Sequence, residues 1–339
     1  MTTIYDIAKE TGYSAPTVSK ALNGSPEVSE RTRERIVDAA KRMGYTPNAM
    51  AKALSTKKSY LIGIIYDDLY MLRGMEHPLF AGIIDAFKSR IEVAGYELIF
   101  LSRQLGPRKL NYLDHARMRH IDGVYIVNTS LGDTGMDELV AGDLPCVSAN
   151  DPFPGVPRVV SENYQGARTA VAALCDMGHR RIAHLSGPIT EKSPAGLERR
   201  SGYLDELSAR GIKAEPELTV ECAYWHAEAG RQAMNALLDS GASPSAVFAA
   251  CDTIAYGAMA AARDRGLSVP GDISFVGFDD YEVSAYLTPS LTTIRQDRVR
   301  LGTEAAELML RILSGEDIRP ESVPRVATQL IARDSAASL

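Results

Sequence analysis

The pattern of hydrophobic and polar positions changes near residue 60 of this 339-residue chain. Before that point, apolar residues recur at three- and four-residue spacing within short segments, which is typical of amphipathic helices. After it, apolar runs such as 61–66 alternate with longer amphipathic segments such as 80–94. This alternation predicts parallel sheets covered by helices on both faces. We therefore expect an all-α head followed by an α/β body.

Cap residues divide the head into three short helices. Thr3, Ser14 and Ser29 each precede an amphipathic segment, and Gly12 follows the first one. Ser and Thr accept hydrogen bonds from the free N–H groups at a helix start, and Gly readily ends a helix. The first two helices, joined by the tight turn 11–14, predict a helix-turn-helix, whose second helix enters the major groove of DNA.

The second helix of this motif supplies the expected base contacts. Its N-terminal side chains reach base edges, so Ala15, Pro16 and Lys20 are expected to face bases, while Thr17 and Ser19 bond phosphates or flanking bases. Pro16 has no hydrogen-bonding side chain. We therefore expect apolar contact or recognition of DNA shape at that position.

Residues 46–59 predict a short hinge helix followed by a polar linker. Asn48, Ala51 and Leu54 share one face of this helix. A helix of two turns is marginal in water, so it needs a partner helix. Once paired, it could insert Leu54 as an apolar wedge between base steps of the minor groove.

The distribution of charge supports a DNA-binding head. The net charge is −6, but the first 60 residues carry 10 Lys and Arg against 6 Asp and Glu, a net of +4. The remaining residues carry 27 against 37, a net of −10. A basic head can bind the phosphates of DNA, while an acidic body keeps the protein soluble.

Several classes of protein are not indicated. No apolar run reaches the ~18 residues that span a membrane, and the first residues do not form a secretory signal, so a cytoplasmic location is expected. The four cysteines are widely spaced, which predicts neither a zinc site nor disulfides. No nucleotide-binding loop or nucleophile elbow is present, so no enzyme, cofactor or metal is expected.

The head and hinge resemble the lactose-repressor (LacI/GalR) family. The resemblance lies in Ile4–Ala8, Gly12–Ser14, Thr17–Asn23 and 48–54. In that family two hinge helices pair in a dimer only on operator DNA, and the matching leucine is the wedge, which implies this role for Leu54. The implied DNA-binding set is Thr3, Tyr5, Ser14, Ala15, Pro16, Thr17, Ser19, Lys20, Asn23, Asn48, Ala51 and Leu54.

The resemblance continues through the body, and it implies a two-lobed core similar to periplasmic sugar-binding proteins, with two doubly wound parallel sheets. The matching segments are 145–150, 178–183, 199–203, 252–257, 273–280 and 291–296. The expected divisions are a DNA-binding domain at 1–45, a hinge at 46–59, and a core at 60–339 whose first lobe is about 60–160 and 290–322 and whose second is about 161–289 and 323–335. Ligands of open α/β sheets bind at the carboxyl ends of strands, so the cleft between the lobes is the expected site.

Three residues match the family's effector contacts. Arg199 should donate to hydroxyl or carboxylate oxygens, Asp279 should accept from two hydroxyls, and Trp225 should stack on the ligand. Asn150 stands where relatives often carry Asp, and Cys251 stands where sugar-responsive relatives often carry Asn. The expected effector set is Phe80, Asn150, Arg199, Trp225, Cys251, Asp279 and Gln296.

The prediction is a sequence-specific transcriptional repressor controlled by a small ligand, for which a sugar or sugar derivative is expected. Because one helix-turn-helix reads a half-site, a homodimer on a palindromic operator is expected, and no C-terminal heptads indicate a tetramer. A ligand-dependent activator of the same family and a solute-binding protein without DNA function remain alternatives. The segment 66–78 is expected to shape the mouth of the pocket.

Overall fold

The computed structural model divides into two compact units, and the boundary falls between Ser59 and Tyr60. The residues that the structure describes are 2–46, 58–67, 74–129, 134–189 and 193–339. The described part of the first unit contains α1 (Ile4–Thr11), α2 (Ala15–Leu22) and α3 (Glu30–Arg42). Their apolar faces meet in a small core of Ile7, Val18, Ala21, Val28, Ile36, Ala39 and Ala40.

The caps of the head helices are those that the sequence predicts. Thr3 Oγ1 accepts from the N–H of Asp6 at 3.3 Å, and the Asp6 carboxylate accepts from the N–H of Thr3 at 2.9 Å. Ser14 Oγ accepts from the N–H of Thr17 at 3.3 Å. Gly12 has a φ of 76°, a left-handed conformation that glycine adopts without the steric cost of a Cβ. The helix-turn-helix therefore has defined ends.

The first lobe of the second unit is built on a parallel sheet. Its elements in chain order are β1 (Leu61–Tyr66), α4 (Pro78–Val93), β2 (Glu97–Phe100), the hairpin strands β3 (Gln104–Leu105) and β4 (Arg108–Lys109), α5 (Tyr112–Met118), β5 (Gly123–Asn128), α6 (Thr134–Val140) and β6 (Cys146–Ser148). The strand order of the sheet is β2–β1–β5–β6. Side chains alternate across β1, so Ile62 and Ile64 pack under α4 while Ile65 packs towards α5 and α6.

The second lobe is built on a six-stranded sheet. Its elements are α7 (Asn163–Asp176), β7 (Ile182–Ser186), α8 (Pro194–Ala209), β8 (Thr219–Glu221), α9 (Ala227–Asp239), β9 (Ala246–Ala249), α10 (Asp252–Asp264), β10 (Ser274–Asp279) and β11 (Thr292–Gln296), completed after α11 (Arg298–Leu313) by β12 (Thr328–Ile331). The strand order is β12–β11–β10–β9–β7–β8, and β12 runs antiparallel to β11. Short 3-10 turns occupy 74–76, 216–218, 282–285 and 320–322.

Two details differ from the sequence prediction. Residues 290–322 were expected in the first lobe, but β11 is a strand of the second sheet, so the chain crosses only after Gln296. Pairing with β10 keeps this segment in the second sheet, because its backbone N–H and C=O groups would lose their hydrogen-bond partners if it left the sheet. Helix α4 also begins at Pro78, two residues before the predicted start at residue 80, and α8 begins at Pro194, three residues before the start at Leu197 that apolar periodicity predicts. Proline fits the first helical position, where its missing N–H has no intrahelical partner.

Glycines bring the covering helices together in pairs. A Cβ on Gly302 of α11 would lie 2.3 Å from the carbonyl oxygen of Ile83 on α4. A Cβ on Gly257 of α10 would lie 1.7 Å from the carbonyl oxygen of Ala227 on α9. The backbones therefore approach more closely than any side chain permits. The first of these contacts fixes α11 against α4 beside the cleft.

The two lobes are joined at three crossings. Val160 and Val326 lie on adjacent crossings, where the N–H of Val326 donates to the carbonyl of Val160 and the N–H of Glu162 donates to the carbonyl of Val326, both at 2.8 Å. The third crossing runs from Gln296 to Arg298. The lobe crossings are therefore a pair of hydrogen-bonded extended segments and a short connection.

No helix of the described residues is long and apolar enough to cross a membrane. Within the same ranges, no cluster of His, Cys, Asp or Glu has an arrangement that holds a metal ion. All four cysteines are buried as free thiols.

Candidate functional site

The predicted DNA-binding side chains of the head lie at its surface. Six of them are exposed: Thr3, Tyr5, Ser14, Pro16, Lys20 and Asn23. Ala15, Thr17 and Ser19 are half-buried on α2, and none of these nine described residues is buried. Helix α2 therefore presents the predicted contacts to solvent, as a recognition helix requires.

Lys20 already has an ionic partner in the head. Its Nζ pairs with the carboxylate of Glu27, and the two side chains are 52% and 68% exposed. Exposed ion pairs contribute only ~0–1 kcal/mol, so Lys20 can exchange this partner for DNA at little cost.

Some predicted positions lie outside the described residues. These are the hinge residues Asn48, Ala51 and Leu54 and, in the segment expected to shape the pocket mouth, Asp68 and Arg73. From that same segment, His77 is buried in the wall of the cleft.

The predicted effector residues come together in one cavity between the two lobes. Its wall includes Phe80, Asn150, Arg199, Trp225, Cys251, Asp279 and Gln296. Three of them follow or end the neighbouring parallel strands β9, β10 and β11, which places Cys251, Asp279 and Gln296 at one edge of the second sheet. The fold therefore assembles a polar wall from residues far apart in sequence.

Arg199 on α8 is held by several acceptors deep in the second lobe. Its Nε and Nη2 donate to Asn163 Oδ1 at 2.9 and 2.8 Å, and its Nη1 donates to the carbonyl of Ala250 at 2.6 Å. The guanidinium lies 3.7 Å from the centroid of the Phe278 ring. Burial lowers the pKa of Arg199, whereas the nearby Asp279 raises it. Three of the five guanidinium N–H groups are used in these bonds, so two remain for Asp279 and a ligand.

Asp279 faces Arg199 at the end of β10. Its Oδ1 lies 3.8 Å from Arg199 Nη1 and accepts from Gln296 Nε2 at 2.6 Å. Burial raises the pKa of Asp279, and the Arg199 charge together with hydrogen bonds from Tyr281 and Gln296 opposes that rise. The carboxylate is thus oriented by three neighbours and available at the cleft surface.

The backbone at Asp279 is strained. Asp279 has a φ of 120° and Asp280 a φ of 59°, backbone angles that residues other than glycine rarely adopt. Asp280 is fixed by Arg295, whose Nε donates to its carboxylate at 2.6 Å, and by Arg333, whose Nη2 donates at 2.5 Å. Strain of this kind persists where the surroundings over-determine it, and it is frequent at binding sites.

Asp252 supports this strand end from below. It is fully buried, and its carboxylate accepts from the N–H of Tyr281 at 3.0 Å, from Ser284 Oγ at 2.6 Å and from Thr293 Oγ1 at 2.5 Å. Burial, followed by the neighbouring charge of Asp279, raises the pKa of Asp252 to about 7, while its three hydrogen bonds act in the opposite direction. Asp252 therefore ties α10 to β11 and to the loop that carries Tyr281.

Trp225 and Cys251 form neighbouring parts of the same wall. The Trp225 ring lies over Gly187, where a Cβ would come within 2.3 Å of the indole, and 5.8 Å from the Arg199 guanidinium. Cys251 is buried, its Sγ lies 3.0 Å from Thr253 Oγ1, and burial raises the pKa of its thiol to about 12. The thiol is therefore neutral and a weak hydrogen-bonding partner.

Asn150 stands beside the carboxylate of Asp151, which is not among the predicted effector residues. Its Nδ2 donates to Asp151 Oδ1 at 3.3 Å. The other oxygen of Asp151 accepts from the N–H and the Oγ1 of Thr129 at 2.9 and 2.8 Å, and burial raises its pKa to about 6. Asp151 therefore orients the Asn150 amide rather than replacing the missing carboxylate in the cleft.

Comparison with known proteins connects both units to one family. The model described as "Bacterial regulatory proteins, lacI family" matches residues 3–48, and the model described as "Periplasmic binding protein-like domain" matches residues 171–336. The probable HTH-type transcriptional repressor ExuR of Bacillus subtilis is 33% identical over 342 residues, which cover 100% of this chain and 99% of that protein. The chain belongs to the lacI family of bacterial regulatory proteins.

Solved structures of lacI-family proteins have the same fold over nearly the whole chain. The lac repressor dimer bound to operator and the anti-inducer ONPF has a TM-score of 0.80 at 28% identity, covering 99% of each chain. The complex of the transcriptional regulator CelR with cellobiose has a TM-score of 0.70 at 28% identity, covering 99% of this chain and 100% of that one. The predicted family, the two-lobed fold and the function of a DNA-binding, ligand-controlled transcriptional repressor are therefore confirmed. A solute-binding protein without DNA function does not account for the match at residues 3–48.

Several residues in the cleft wall of this lacI-family protein were not predicted from the sequence, among them Ser161, Asn163 and Tyr281. Asn163 is the first residue of α7, and Tyr281 follows the end of β10 by two positions. Both therefore lie where α/β folds place ligand contacts, which is the signal that could have found them. Ser161 lies at a lobe crossing, and no pattern in its neighbourhood marks it.

Proposed function

We propose that this protein is a dimeric repressor that binds a palindromic operator through α2 and the hinge segment, and that a small polyhydroxyl ligand in the cleft controls this binding. Phe80, Asn150, Arg199, Trp225, Cys251, Asp279 and Gln296 are proposed as the effector contacts. The lac repressor dimer bound to operator and the CelR–cellobiose complex support the two halves of this proposal by analogy.

One observation carries the proposal for the cleft. The buried Arg199 and Asp279 face each other at only 3.8 Å, and each keeps hydrogen-bonding capacity towards the cavity. A donor fork beside a carboxylate, with the Trp225 ring near it, suits the alternating O–H and C–H surfaces of a sugar. The ligand is proposed to bind without chemical conversion, because the surroundings of Asp279 orient it as an acceptor rather than freeing it as a base.

The proposed coupling passes through the crossings between the two lobes. Gln296 lines the cleft and stands at the third crossing, and Arg325 near the second crossing pairs with Glu198, the neighbour of Arg199, at 2.8 Å. A ligand that draws Arg199 and Gln296 together therefore acts on two crossings at once. The expected rotation of the first lobe changes how two protomers present their hinge helices, with a coupling of about 1–3 kcal/mol. Since the relatives are DNA-binding regulators of bacteria, action in the cytoplasm is part of the proposal.

Intrinsic fluorescence tests the cleft directly, because Trp225 is the single tryptophan of the chain. We expect a saturable fluorescence change on titration with one member of a panel of sugars, sugar acids and sugar phosphates. The Asp279→Asn variant should weaken that binding at least tenfold, since it replaces an oriented acceptor by an amide. Asp280→Asn is not a suitable control, because the Asp280 carboxylate accepts from Arg295 and Arg333 at the end of β10. The exposed Asp317→Asn variant is the control instead.

The same titration repeated with a labelled palindromic operator pool gives the sign of the coupling. Release of DNA by the ligand identifies an inducer, and tighter binding identifies a corepressor or, with increased transcription in a reporter assay, an activator. A ligand that saturates the cleft and leaves the DNA affinity unchanged would contradict the proposed control.

A further inference from the structure

A groove outside the cleft lies directly ahead of the two paired crossings. Its walls are the segments 152–160 and 320–325, which come together where Val160 pairs with Val326. The bridge between Ser161 and Val326 is parallel, so both segments approach the crossings from the same side. The groove has a volume of about 400 Å³, which lies within the ~300–1,000 Å³ of small-molecule sites. Of its lining residues, Val160 alone also lines the cleft.

Both walls of the groove contribute apolar side chains. Pro152, Phe153 and Val156 line one wall, and Pro320 and Val323 line the other. Phe153 and Val323 are half-buried, and Phe153 packs against the apolar cluster under α5 and α6. An aryl or alkyl group placed between these walls would be removed from water, which is favourable. The groove therefore suits the apolar part of a small molecule.

Arg158 supplies a cation to the groove. Its Nη1 donates to the carbonyl oxygen of Asn150 at 3.3 Å, and no ion pair joins its guanidinium to a carboxylate in the described part of the chain. The buried carboxylate of Asp151 interacts electrostatically with Arg158, but its hydrogen bonds come from Thr129 and Asn150. Most N–H groups of Arg158 therefore remain available to an anionic ligand.

Arg325 extends the groove towards the second lobe. Its Nη2 donates to Glu198 Oε1 at 2.8 Å, and the two side chains are 33% and 22% exposed. Partly exposed ion pairs are only modestly stabilising, so an incoming anion can compete with Glu198 for this guanidinium. The acidic side chain of the groove, Glu321, is exposed. The lining side chains thus carry two cations against one acid, which favours a ligand with a negative charge.

Both arginines connect the groove to the cleft. Arg158 contacts the backbone of Asn150, which lies in the first-lobe wall of the cleft. Arg325 contacts Glu198, which precedes Arg199 on α8. A ligand that bound these two guanidinium groups would act on both walls of the cleft from outside it. Such shared contacts are what coupling between two distinct sites requires.

We propose that this groove is a second regulatory site, which binds a small organic anion with an aryl or alkyl body and one carboxylate or phosphate group. The anionic group binds Arg158 and competes with Glu198 for Arg325, while the body lies between Phe153 and Val323. Binding changes the effector affinity of the cleft through the contacts of the two arginines. This regulatory step rests on the proposed function of the cleft, whereas the binding of the anion does not.

Fluorine NMR on the full-length protein tests the binding with matched probes. Para-fluorophenylacetate and para-fluorophenyl phosphate supply the two anionic groups, and para-fluorophenylacetamide has nearly the shape of the first without its charge. At least one anion should bind about tenfold more tightly than the amide, because charged hydrogen bonds to arginine are the stronger ones. Inorganic phosphate should compete only weakly, since it lacks the apolar body. Equal affinity of the anions and the amide, or no binding of either anion, would overturn the proposal.

Variants assign the binding to the groove. Arg158→Gln should weaken anion binding about tenfold and leave the amide unchanged. Arg119→Gln, at an exposed position of the same lobe, should change neither. Phe153→Ala should weaken the anions and the amide by the same factor, and Phe153→Leu replaces it if thermal unfolding shows that the first variant is not folded. Anion binding that survives both Arg158→Gln and the Phe153 variant would overturn the assignment.

A gain of affinity provides an independent test. Glu321→Gln removes the acidic side chain of the groove and should tighten anion binding about twofold or more. Asp317→Asn removes the same charge at an exposed position outside the groove, so it should leave anion binding unchanged. Weaker anion binding by Glu321→Gln, or the same affinity as the wild type, would place the anion elsewhere on the protein.

The regulatory step is measured as the effector affinity, from Trp225 fluorescence, with and without a saturating anion probe. We expect the probe to change this affinity at least threefold in the wild type and to have no effect in Arg158→Gln. An unchanged effector affinity beside a bound probe would overturn regulation through the groove and leave the proposed function of the cleft intact. If the effector never changes operator affinity, the proposed function fails, whereas the anion site is still decided by the Arg158 and Glu321 variants.

Discussion

At the residue scale, Asp252 is a buried carboxyl group on which the geometry of the cleft depends. It accepts three hydrogen bonds, and burial raises its pKa to about 7, against about 3.9 in an unfolded chain. Between pH 4 and pH 7 the unfolded carboxyl has lost its proton while the folded one retains it. Ionisation therefore favours the unfolded chain in this window, and the contribution of Asp252 to stability falls as the pH rises.

Replacement of Asp252 by Asn is expected to remove this pH dependence. Urea unfolding at pH 5 and pH 7.5 should show a smaller difference in the free energy of unfolding for Asp252→Asn than for the wild-type protein. The exposed Asp317→Asn variant should retain the wild-type difference. An unchanged difference in Asp252→Asn would mean that the carboxyl does not titrate in this range.

Arg199 depends on the fork shape of its side chain as well as on its charge. Asn163 accepts from two of its nitrogens and Ala250 from a third, and lysine cannot reproduce this arrangement. Arg199→Lys should lower stability by about 1–3 kcal/mol, because buried acceptors lose their donors, and should lower effector affinity at least tenfold. Calorimetric titration and thermal unfolding measure the two effects. Arg200→Lys on the same helix is the control, and an effector affinity equal to that of the wild type in Arg199→Lys would remove this residue from the site.

The sequence predicts the identity of cleft residues better than their contacts. Strand-end positions and the family resemblance point to Arg199, Asp279 and Gln296. The role of Asn163 as the partner of Arg199 depends on where α7 and α8 cross, which no local pattern encodes. For the same reason, Asp151 beside Asn150 becomes visible only in three dimensions.

At the scale of elements, the N-caps of α2 and α3 form a matched pair for testing the recognition helix. Ser14 and Ser29 each accept from the N–H three residues later, at 3.3 and 3.4 Å. Ser14→Ala and Ser29→Ala should each lower the stability of the head by about 1 kcal/mol. Only Ser14→Ala should also reduce operator affinity beyond that loss, because α2 carries the predicted base contacts. Fluorescence anisotropy with labelled operator, beside thermal unfolding, measures both quantities, and equal losses of affinity would argue against α2 as the recognition helix.

The hinge segment provides a second prediction at this scale. Leu54 is expected to wedge between base steps, so Leu54→Ala should reduce both operator affinity and DNA bending, while Leu54→Met retains most of each. Energy transfer between dyes at the ends of an operator fragment reports the bend. Normal bending by Leu54→Ala would exclude the wedge.

Helix and strand types were predicted more accurately than boundaries and lobe assignment. The apolar runs identify β1 and β5, and the caps identify the head helices. The early starts of α4 and α8 at Pro78 and Pro194 were missed because the prediction followed apolar periodicity rather than the proline signal. The assignment of β11 to the second sheet depends on pairing with β10 and β12, which is a long-range property.

At the scale of the whole molecule, ligand-controlled repression requires that the effector and the operator influence each other through the same protein. Linkage makes this influence reciprocal: a ligand that weakens operator binding by some factor must itself bind more weakly, by that factor, to the DNA-bound repressor. The bonded crossings at Val160 and Val326 and the short connection after Gln296 are the proposed route for that coupling.

The most direct test is therefore one thermodynamic cycle on the full-length protein with an effector found by Trp225 fluorescence. Operator affinity is measured with and without saturating effector, and effector affinity is measured with and without saturating operator. Ligand-controlled repression predicts equal factors of about 5–150 in the two directions, and Asp279→Asn should abolish them at the same effector concentration. Factors of one in both directions would show that the cleft and the DNA-binding head act independently, and would contradict ligand-controlled repression.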